Sequence, residues 1–348
     1  MKKIILAFIT ISALLWLPAC RQDSPPVQEA VSETSMTPEP QAMTTLRMNR
    51  SANMSYAPIF IAEEEGYFAE YGIVLEMIDF NRTAEAIPLV VSGDLDAYAG
   101  SVNAGLLNTL YLEPNIRVVA DRGRVRADME CTFQGILVRK DLYDSGAVLK
   151  PEDVRGLTMV SSTAGPGAFL TAEFLKLGGL TFEDVNITDI PPATYTEAML
   201  NASVDLICAV ELPLGRVLAS GSAVQIASME DVVGDFQTSI LAFGKNLLTD
   251  NPELGARFLA AYLKGVAQYN EGKTERNLEI LAEATGDEIE VLKNSCWLPI
   301  SLDGIPDFNA IVAFMNWSIS AGHLEQPITE EQFWNPKPLE AAMKLLGK

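Results

Sequence analysis

Short apolar runs alternate with helical patterns through most of the chain. Residues 73–80 alternate apolar and polar positions, as a half-buried strand does. Residues 58–71 instead place apolar side chains on one helical face. Further strands are predicted at 45–51, 95–99, 116–120, 157–162, 185–190, 204–210 and 236–244, and further helices at 84–91, 163–177, 195–201 and 339–346. Strands that alternate with helices predict a parallel sheet with crossover helices.

The strand-helix pattern restarts near residue 157, and from residue 252 the chain is mostly helical. Residues 45–348, about 300 residues, are more than a single hydrophobic core usually includes, so two lobes are expected. We predict an α/β fold in which residues 45–136 and 237–348 form lobe 1 and residues 137–236 form lobe 2. The two crossings are expected near residues 136–140 and 236–242.

One strand-to-loop arrangement occurs twice along the chain. Residues 93–105 (GDLDAYAGSVNAG) and 202–215 (ASVDLICAVELPLG) each place an Asp before an apolar strand and a polar loop after it. Ligands of open parallel sheets gather at the carboxyl ends of the strands. We therefore expect the loops of two facing lobes to line one cleft.

The N-terminus has the pattern of a secretion signal. Lys2 and Lys3 precede fourteen apolar residues, 4–17, a run too short to span a bilayer. Residues 1–19 are therefore predicted to be a signal peptide. The string Leu17-Pro18-Ala19-Cys20 resembles the bacterial lipobox, which implies cleavage before Cys20 and its lipidation; the alternative is an ordinary signal peptide with an incidental cysteine.

A polar segment follows, and nothing later in the sequence resembles a membrane span. Residues 21–44 are rich in Pro, Ser, Thr, Gln and Glu without apolar periodicity, so residues 20–44 are predicted to be a flexible tether. No later segment has about 18 uncharged apolar residues. We expect a lipid-anchored body outside the cytoplasm.

Charge and cysteine content exclude several classes of function. The formal net charge is −21 at pH 7, which argues against a nucleic-acid partner. Cys131, Cys208 and Cys296 allow one disulfide and one free thiol, and Cys208 lies in an apolar strand where burial is expected. No CxxC or Cys/His spacing predicts a metal site, and no cofactor is expected. The lone histidine, His323, has no partner in a Ser-His-Asp order, and no Walker loop is present.

Three strings resemble a known family. They are SYAPIFIAEEEGYFAEYGIVLEM (55–77), LVVSGDLDAYAGSVN (89–103) and AMLNASVDLICAVELP (198–213). They are similar to the nitrate, sulfonate, taurine and thiamine-pyrimidine group of ABC-transporter substrate-binding proteins, over nearly all of residues 45–348. The resemblance implies a two-lobed periplasmic binding protein of type II, a monomer that closes on a small molecule and delivers it to a permease driven by an ATPase.

The same resemblance implies the ligand-binding positions. In lobe 1 they are Arg50, Asn53, Ser55, Tyr56, Asn81, Arg82, Ser101 and Asn103. In lobe 2 they are Ser162, Thr163, Gly165, Tyr195 and Glu211.

The chemistry of these residues leaves two ligand classes open. The helix that begins near Gly165 could bind an anion, or Ser162 and Thr163 could simply cap it. Arg50 and Arg82 could grip a carboxylate, sulfonate or phosphate, or lie on the surface. Tyr56 and Tyr195 could stack on a flat ring, or pack at the rim of the cleft. Glu211 could bind a ligand amine or amide, or form a salt bridge to the other lobe.

Two alternative functions remain at this point. Some two-lobed domains feed a receptor in place of a permease. The fungal thiamine-pyrimidine synthases resemble this fold, but they use a histidine in the loop after the first strand. Here that place holds Tyr56, and their cysteine-rich motif is absent, which counts against an enzyme.

Overall fold

Ten apolar strands build two sheets. The computed structural model describes residues 43–80 and 82–348, so the predicted signal peptide, Cys20, most of the predicted tether and Asn81 lie outside the described residues. The strands of the first sheet are β1 Thr44–Arg50, β2 Ile73–Asp79, β3 Ala97–Ser101, β4 Arg117–Asp121 and β10 Ser239–Phe243. Those of the second are β5 Gln134–Arg139, β6 Thr158–Val160, β7 Asn186–Thr188, β8 Leu206–Val210 and β9 Ala223–Ser228.

Both sheets are mixed. The first has the order β2-β1-β3-β10-β4 and the second β7-β6-β8-β5-β9. β1 runs parallel to β2 and β3, and β6 runs parallel to β7 and β8, as predicted. The predicted strand 236–244 is an exception, because β10 runs antiparallel to β3 and β4, and β5 runs antiparallel to β8 and β9. The predicted two-lobed α/β fold is confirmed, with one reversed strand inside each sheet.

Helices cover the sheets and form the C-terminal part of the chain. They are α1 Ala57–Glu64, α2 Tyr67–Glu70, α3 Ile87–Ser92, α4 Ala104–Leu112, α5 Lys140–Asp144, α6 Pro166–Leu177, α7 Tyr195–Leu200, α8 Pro213–Ala219, α9 Met229–Val232, α10 Pro252–Tyr269, α11 Glu275–Thr285, α12 Ile289–Asn294, α13 Val312–Ser320, α14 Glu330–Phe333 and α15 Lys337–Leu345. The single helix predicted over 58–71 is divided, because Gly66 adopts φ +73° and interrupts it. Among residues 43–80 and 82–348, no helix is both long enough and apolar enough for a membrane crossing.

Close packing of α10 against α1 anchors the C-terminal helices to the first sheet. A Cβ at Gly265 would lie 2.1 Å from the carbonyl oxygen of Pro58, so only glycine permits this approach. Phe258 of α10 is fully buried and packs edge-on against Phe243 of β10. Burying such a side chain contributes about 1.5–3 kcal/mol. Helix α10 is therefore part of the first lobe's core.

Two segments connect the sheets side by side. The chain leaves the first sheet after Asp121, enters the second at Gln134, and returns between Ser228 and Ser239. Val125 and Phe236 exchange two backbone hydrogen bonds of 2.9 Å and so pair the crossings. The first crossing thus precedes the expected one near residues 136–140, because residues 136–139 belong to β5, which pairs with both β8 and β9. The return likewise lies earlier than the expected 236–242, because residues 239–242 belong to β10.

A disulfide joins the first crossing to the C-terminal helices. Cys131 and Cys296 are bonded at 2.07 Å across a sequence separation of 165 residues. Cys208 is a buried free cysteine in β8, as expected from its apolar strand. The bond ties the connection between the lobes to the segment that follows α12.

Replacing both bonded cysteines by serine (Cys131→Ser with Cys296→Ser) should lower the free energy of unfolding by roughly 2–5 kcal/mol, because the unfolded chain loses a long cross-link. Urea unfolding measures the change. Dithiothreitol serves as the control, since it should bring the natural protein to the variant's midpoint and leave the variant unchanged. Equal midpoints for the oxidised natural protein and the variant would contradict the expected stabilisation.

Candidate functional site

A cavity of about 220 Å³ lies where strand ends of the two sheets face each other. Its lining is rich in hydroxyl and amide groups and includes one guanidinium. The lining residues are Asn53, Ser55, Thr83, Gly100, Ser101, Arg122, Phe133, Gln134, Pro166, Gly167, Val210, Thr238 and Ser239. Both lobes contribute, so a molecule held here would contact both.

A larger groove of about 1010 Å³ lies between α6 and α13. Phe169, Phe182 and Trp317 give it an apolar lining, and His323 lies at its edge. It does not contain the strand ends of the first sheet. We assign the site to the smaller cavity, because that cavity combines the strand ends of both sheets with a buried charge.

Three of the predicted ligand residues line the cavity. Asn53 Oδ1 accepts hydrogen bonds from the backbone N–H of Ser55 at 3.1 Å and from its hydroxyl at 2.7 Å, which fixes the turn after β1. Ser101 ends β3 and faces the same space. Local capping in the first loop and the end of a strand in the second therefore place Asn53, Ser55 and Ser101 at the cavity.

Arg122 is the cavity residue that the sequence interpretation missed. It follows β4 directly and is 1% exposed. Its Nε donates to the carbonyl oxygen of Ile240 at 3.3 Å, and its guanidinium lies 4.3 Å from the centroid of the Tyr56 ring. Its Nη1 has no hydrogen-bond partner among the described residues. The sequence feature that could have indicated Arg122 is its position shortly after the predicted strand at residues 116–120.

The neighbouring carboxylate does not pair with Arg122. Asp121 accepts hydrogen bonds from the backbone N–H groups of Gly123 and Ser301, each at 2.8 Å, and from the Gln237 side chain at 2.7 Å. Burial raises the pKa of Asp121, and these three bonds oppose the rise. The carboxylate thus fastens the crossing to the C-terminal helices, and no ion pair of Arg122 occurs within the described residues.

The other predicted residues of lobe 1 are engaged elsewhere. Tyr56 is fully buried, and its hydroxyl donates to the carbonyl oxygen of Ala99 at 2.5 Å, so its ring supports Arg122 and does not face the cavity. Arg50 pairs with Asp79 and donates to the carbonyl oxygen of Ala284. These contacts differ from the expectation that Arg50 and Tyr56 face the ligand, because they hold both side chains away from the cavity lining.

Two further residues of lobe 1 have structural partners. Asn103 caps α4 by accepting from the Leu106 N–H at 2.9 Å, and it is absent from the cavity lining. Arg82 is exposed and forms an ion pair with Asp189, which follows β7 of the second sheet. Arg82 therefore spans the two lobes and is not part of the cavity wall.

In lobe 2 the cavity meets the start of α6. Pro166 and Gly167 line it, whereas Gly165 is the N-cap residue and the Ser162 hydroxyl accepts from the Ala168 N–H at 3.1 Å. A Cβ at Gly167 would lie 3.1 Å from that hydroxyl oxygen, so glycine lets the helix start approach closely. Ser162 therefore has the capping role that was the alternative to ligand contact.

Thr163 and Tyr195 lie outside the cavity. Thr163 is exposed at the edge of the larger groove. Tyr195 packs against the core of the second lobe, and burial raises the pKa of its hydroxyl to about 12. Neither side chain belongs to the cavity lining in this structure.

Glu211 links the lobes through backbone hydrogen bonds. It is 3% exposed, its Oε2 accepts from the Gly215 N–H, and its Oε1 accepts from the Cys296 N–H, both at 3.1 Å. Burial raises the pKa of this carboxyl to about 7, although both N–H groups and Lys273 oppose the rise. Glu211 does not line the cavity. Its hydrogen bond from the Cys296 N–H joins lobe 2 to the segment after α12, where the sequence left a salt bridge to the other lobe as one alternative.

Comparisons with known proteins agree with this architecture. A family model described as NMT1/THI5 like matches residues 53–271. The riboflavin-binding protein RibY of Chloroflexus aurantiacus is 22% identical over 273 residues, 77% of this chain and 74% of RibY. The alkanesulfonate-binding protein SsuA of Xanthomonas axonopodis pv. citri, bound to MOPS, has a TM-score of 0.66 at 15% identity, over 84% of this chain and 99% of SsuA.

The fold is also similar to that of an enzyme. The desulfurization enzyme DszB has a TM-score of 0.64 at 14% identity, over 87% of this chain and 99% of DszB. At these identities the structural similarities establish the fold only. The function of the chain depends on the residues at its site.

Glu211→Gln should flatten the dependence of stability on pH. The folded protein holds a proton on Glu211 up to a pKa of about 7, whereas the unfolded chain releases it near 4.5, so stability is lost as pH rises between these values. The linked loss is roughly 3 kcal/mol. Urea unfolding from pH 4 to pH 8 measures it.

The matched control for this substitution is Glu253→Gln, which changes an exposed carboxyl at the start of α10. It should leave the pH profile unchanged. Identical profiles for the natural protein and Glu211→Gln would show that Glu211 titrates as an ordinary carboxyl.

Proposed function

The chain belongs to the NMT1/THI5-like family, in agreement with the resemblance of its sequence motifs, and on this premise we propose that it is a solute-binding protein. It captures a small polar molecule in the cavity between its lobes and delivers it to an ABC permease. The observation that carries the proposal is the joint lining of one polar cavity by strand ends of both sheets.

The paired crossings support a closing motion. Segments that join two lobes side by side can absorb a change in their relative orientation, as in other hinge closures. A ligand that contacts both lobes binds the closed state more tightly than the open one. The differential affinity supplies the free energy that favours closure.

Direct contacts between the lobes contribute less. Arg82 and Asp189 form an exposed pair, and Arg216 binds Asp287 with two hydrogen bonds of 2.7 Å. An exposed ion pair such as Arg82–Asp189 is typically worth about 0–1 kcal/mol. These pairs align the lobes, and the ligand provides the larger bias.

The size of the cavity limits the ligand. About 220 Å³ corresponds to roughly seven water molecules at about 30 Å³ each. Typical drug-sized ligands occupy pockets of about 300–1,000 Å³. A sulfonate or nitrate-like anion and an aminopyrimidine-like ring are both small enough, and they remain the two candidate classes at this level of the proposal.

Binding fits the cavity better than catalysis. None of the described residues that line it is His, Cys, Asp, Glu or Lys, so no ordinary general base or strong nucleophile is at hand. His323 lies at the larger groove. The similarity to DszB concerns the fold and does not favour an enzyme, and no observation favours a receptor-feeding sensor over a transport protein.

The proposed location is outside the cytoplasm, with a lipid anchor on Cys20 and a monomeric body beside its permease and ATPase. The apolar segment followed by Leu17-Pro18-Ala19-Cys20 supports the anchor. The disulfide between Cys131 and Cys296 is consistent with an oxidising compartment.

Ligands should raise the melting temperature of the full chain, and Ser101→Trp should abolish this rise by filling the cavity. A ligand at 100 times its Kd adds about 2.7 kcal/mol of stability. The panel comprises nitrate, ethanesulfonate, taurine, aminopyrimidines and riboflavin, and native mass spectrometry of freshly purified protein detects any co-purified molecule. Ser145→Trp is the matched control, since Ser145 is exposed and absent from the cavity lining.

Ligand-induced shifts that are equal in the natural protein and in Ser101→Trp would place the binding site elsewhere. Absence of any co-purified mass, together with no shift from the panel, would contradict the solute-binding role.

Cys20→Ser should release the protein from the membrane fraction, because no thiol remains for the lipid. Metabolic labelling with a fatty acid and detergent partitioning measure the anchor. Cys208→Ser, at a buried thiol, is the control and should stay membrane-bound. Labelling that persists in Cys20→Ser would contradict lipidation at this residue.

A further inference from the structure

We infer that the ligand of this cavity is a small organic oxyanion, a sulfonate or a carboxylate, and that Arg122 is the residue that binds it. This inference rests on the proposed solute-binding function and resolves the choice between the two ligand classes. The sequence interpretation did not include Arg122 among the ligand-binding positions.

The buried guanidinium of Arg122 has no ion-pair partner among the described residues. Burying an ion without a partner is costly, and buried polar groups nearly always have hydrogen-bond partners. Arg122 is 1% exposed, yet its Nη1 is unpartnered and its sequence neighbour Asp121 bonds to other groups. Arginine stays charged in proteins. The missing counter-charge is best supplied by a ligand in the cavity that Arg122 lines.

Contacts with neighbouring groups fix the orientation of the Arg122 guanidinium. The Tyr56 ring covers it at 4.3 Å, and the Tyr56 hydroxyl is held by the carbonyl oxygen of Ala99. The bond from Nε to the carbonyl oxygen of Ile240 holds another edge. A guanidinium that is already oriented loses little entropy when it binds an oxyanion through its remaining N–H groups.

The start of α6 lines the same cavity as Arg122. The twelve-residue helix α6 begins at the cavity with Pro166 and Gly167, and the first N–H groups of a helix carry partial positive charge. Pro166 has no N–H and the Ala168 N–H bonds to the Ser162 hydroxyl, so Gly167 supplies the first-turn N–H at the cavity. The hydroxyls of Ser55, Ser101 and Thr238 line the space between. An oxyanion would therefore be contacted by a cation from lobe 1 and a helix start from lobe 2, which ties its binding to closure.

A nitrogenous ring lacks corresponding partners here. No carboxylate among the described residues lines the cavity to accept from a ring amine, because Glu211 bonds to backbone N–H groups outside it. Tyr56 offers no free face, since it is buried beneath Arg122. A neutral ring would leave the guanidinium uncompensated.

Isothermal titration of the full chain with ethanesulfonate, taurine, acetate and small carboxylates, and with aminopyrimidine and riboflavin as neutral rings, tests the inference. We expect at least one organic oxyanion to bind, and Arg122→Lys to weaken it on the order of 100-fold, because lysine cannot form the bidentate contact. The control is Arg50→Lys, whose guanidinium binds Asp79 and the Ala284 carbonyl, and it should keep the affinity within about twofold.

The melting temperature of the ligand-free protein separates a ligand-binding arginine from a structural one. Arg122→Met removes a buried, uncompensated charge, so its melting temperature should equal or exceed that of the natural protein. A fall of several degrees, alongside unchanged oxyanion affinity in Arg122→Lys, would make Arg122 a structural residue and overturn the inference.

The outcomes distinguish this inference from the proposed function. Binding of a neutral ring but no oxyanion overturns the inference and leaves the solute-binding role intact. Binding of no molecule in the panel, with no co-purified mass, overturns both. Oxyanion binding that is lost in Arg122→Lys and kept in Arg50→Lys supports both.

Discussion

The antiparallel insertion of β10 between β3 and β4 is the constraint on which the site depends. Because β10 is reversed, its first residues meet the last residues of both neighbours: Ser239 pairs with Ser101, and Ile240 pairs with Asp121. The returning crossing therefore ends beside the start of the outgoing one. This register brings Ser101, Arg122 and Thr238 to one wall, and it lets the two crossings pair as a connection between the lobes.

The same register explains how a strongly acidic chain can hold a cationic cavity. The net charge of −21 acts over long distances, but salt screens exposed charges beyond about 8–10 Å. A guanidinium enclosed by Tyr56 and the Ile240 carbonyl is screened far less, so it dominates the local potential. Global charge therefore carries little information about the environment inside the cavity.

Neighbouring residues of one loop show the limit of prediction from sequence. The pattern after β1 predicted a polar loop, and it placed Asn53 and Ser55 in the cavity, because short side chains that cap a turn stay beside the strand end. It could not distinguish Tyr56 and Arg50 from them. Whether a side chain enters the core or the cleft depends on the turn's orientation and on distant partners, here Ala99 and Ala284.

Local apolar periodicity is sufficient to predict the two α/β lobes, most strand positions, the helical C-terminal part and the strand ends that carry the polar loops. Periodicity does not predict the reversal of β5 and β10, the bond between Cys131 and Cys296, or the exposure of each candidate side chain. These depend on contacts between residues far apart in the chain. Arg122 is an example of this dependence, since only the fold determines whether a carboxylate lies within reach of its guanidinium.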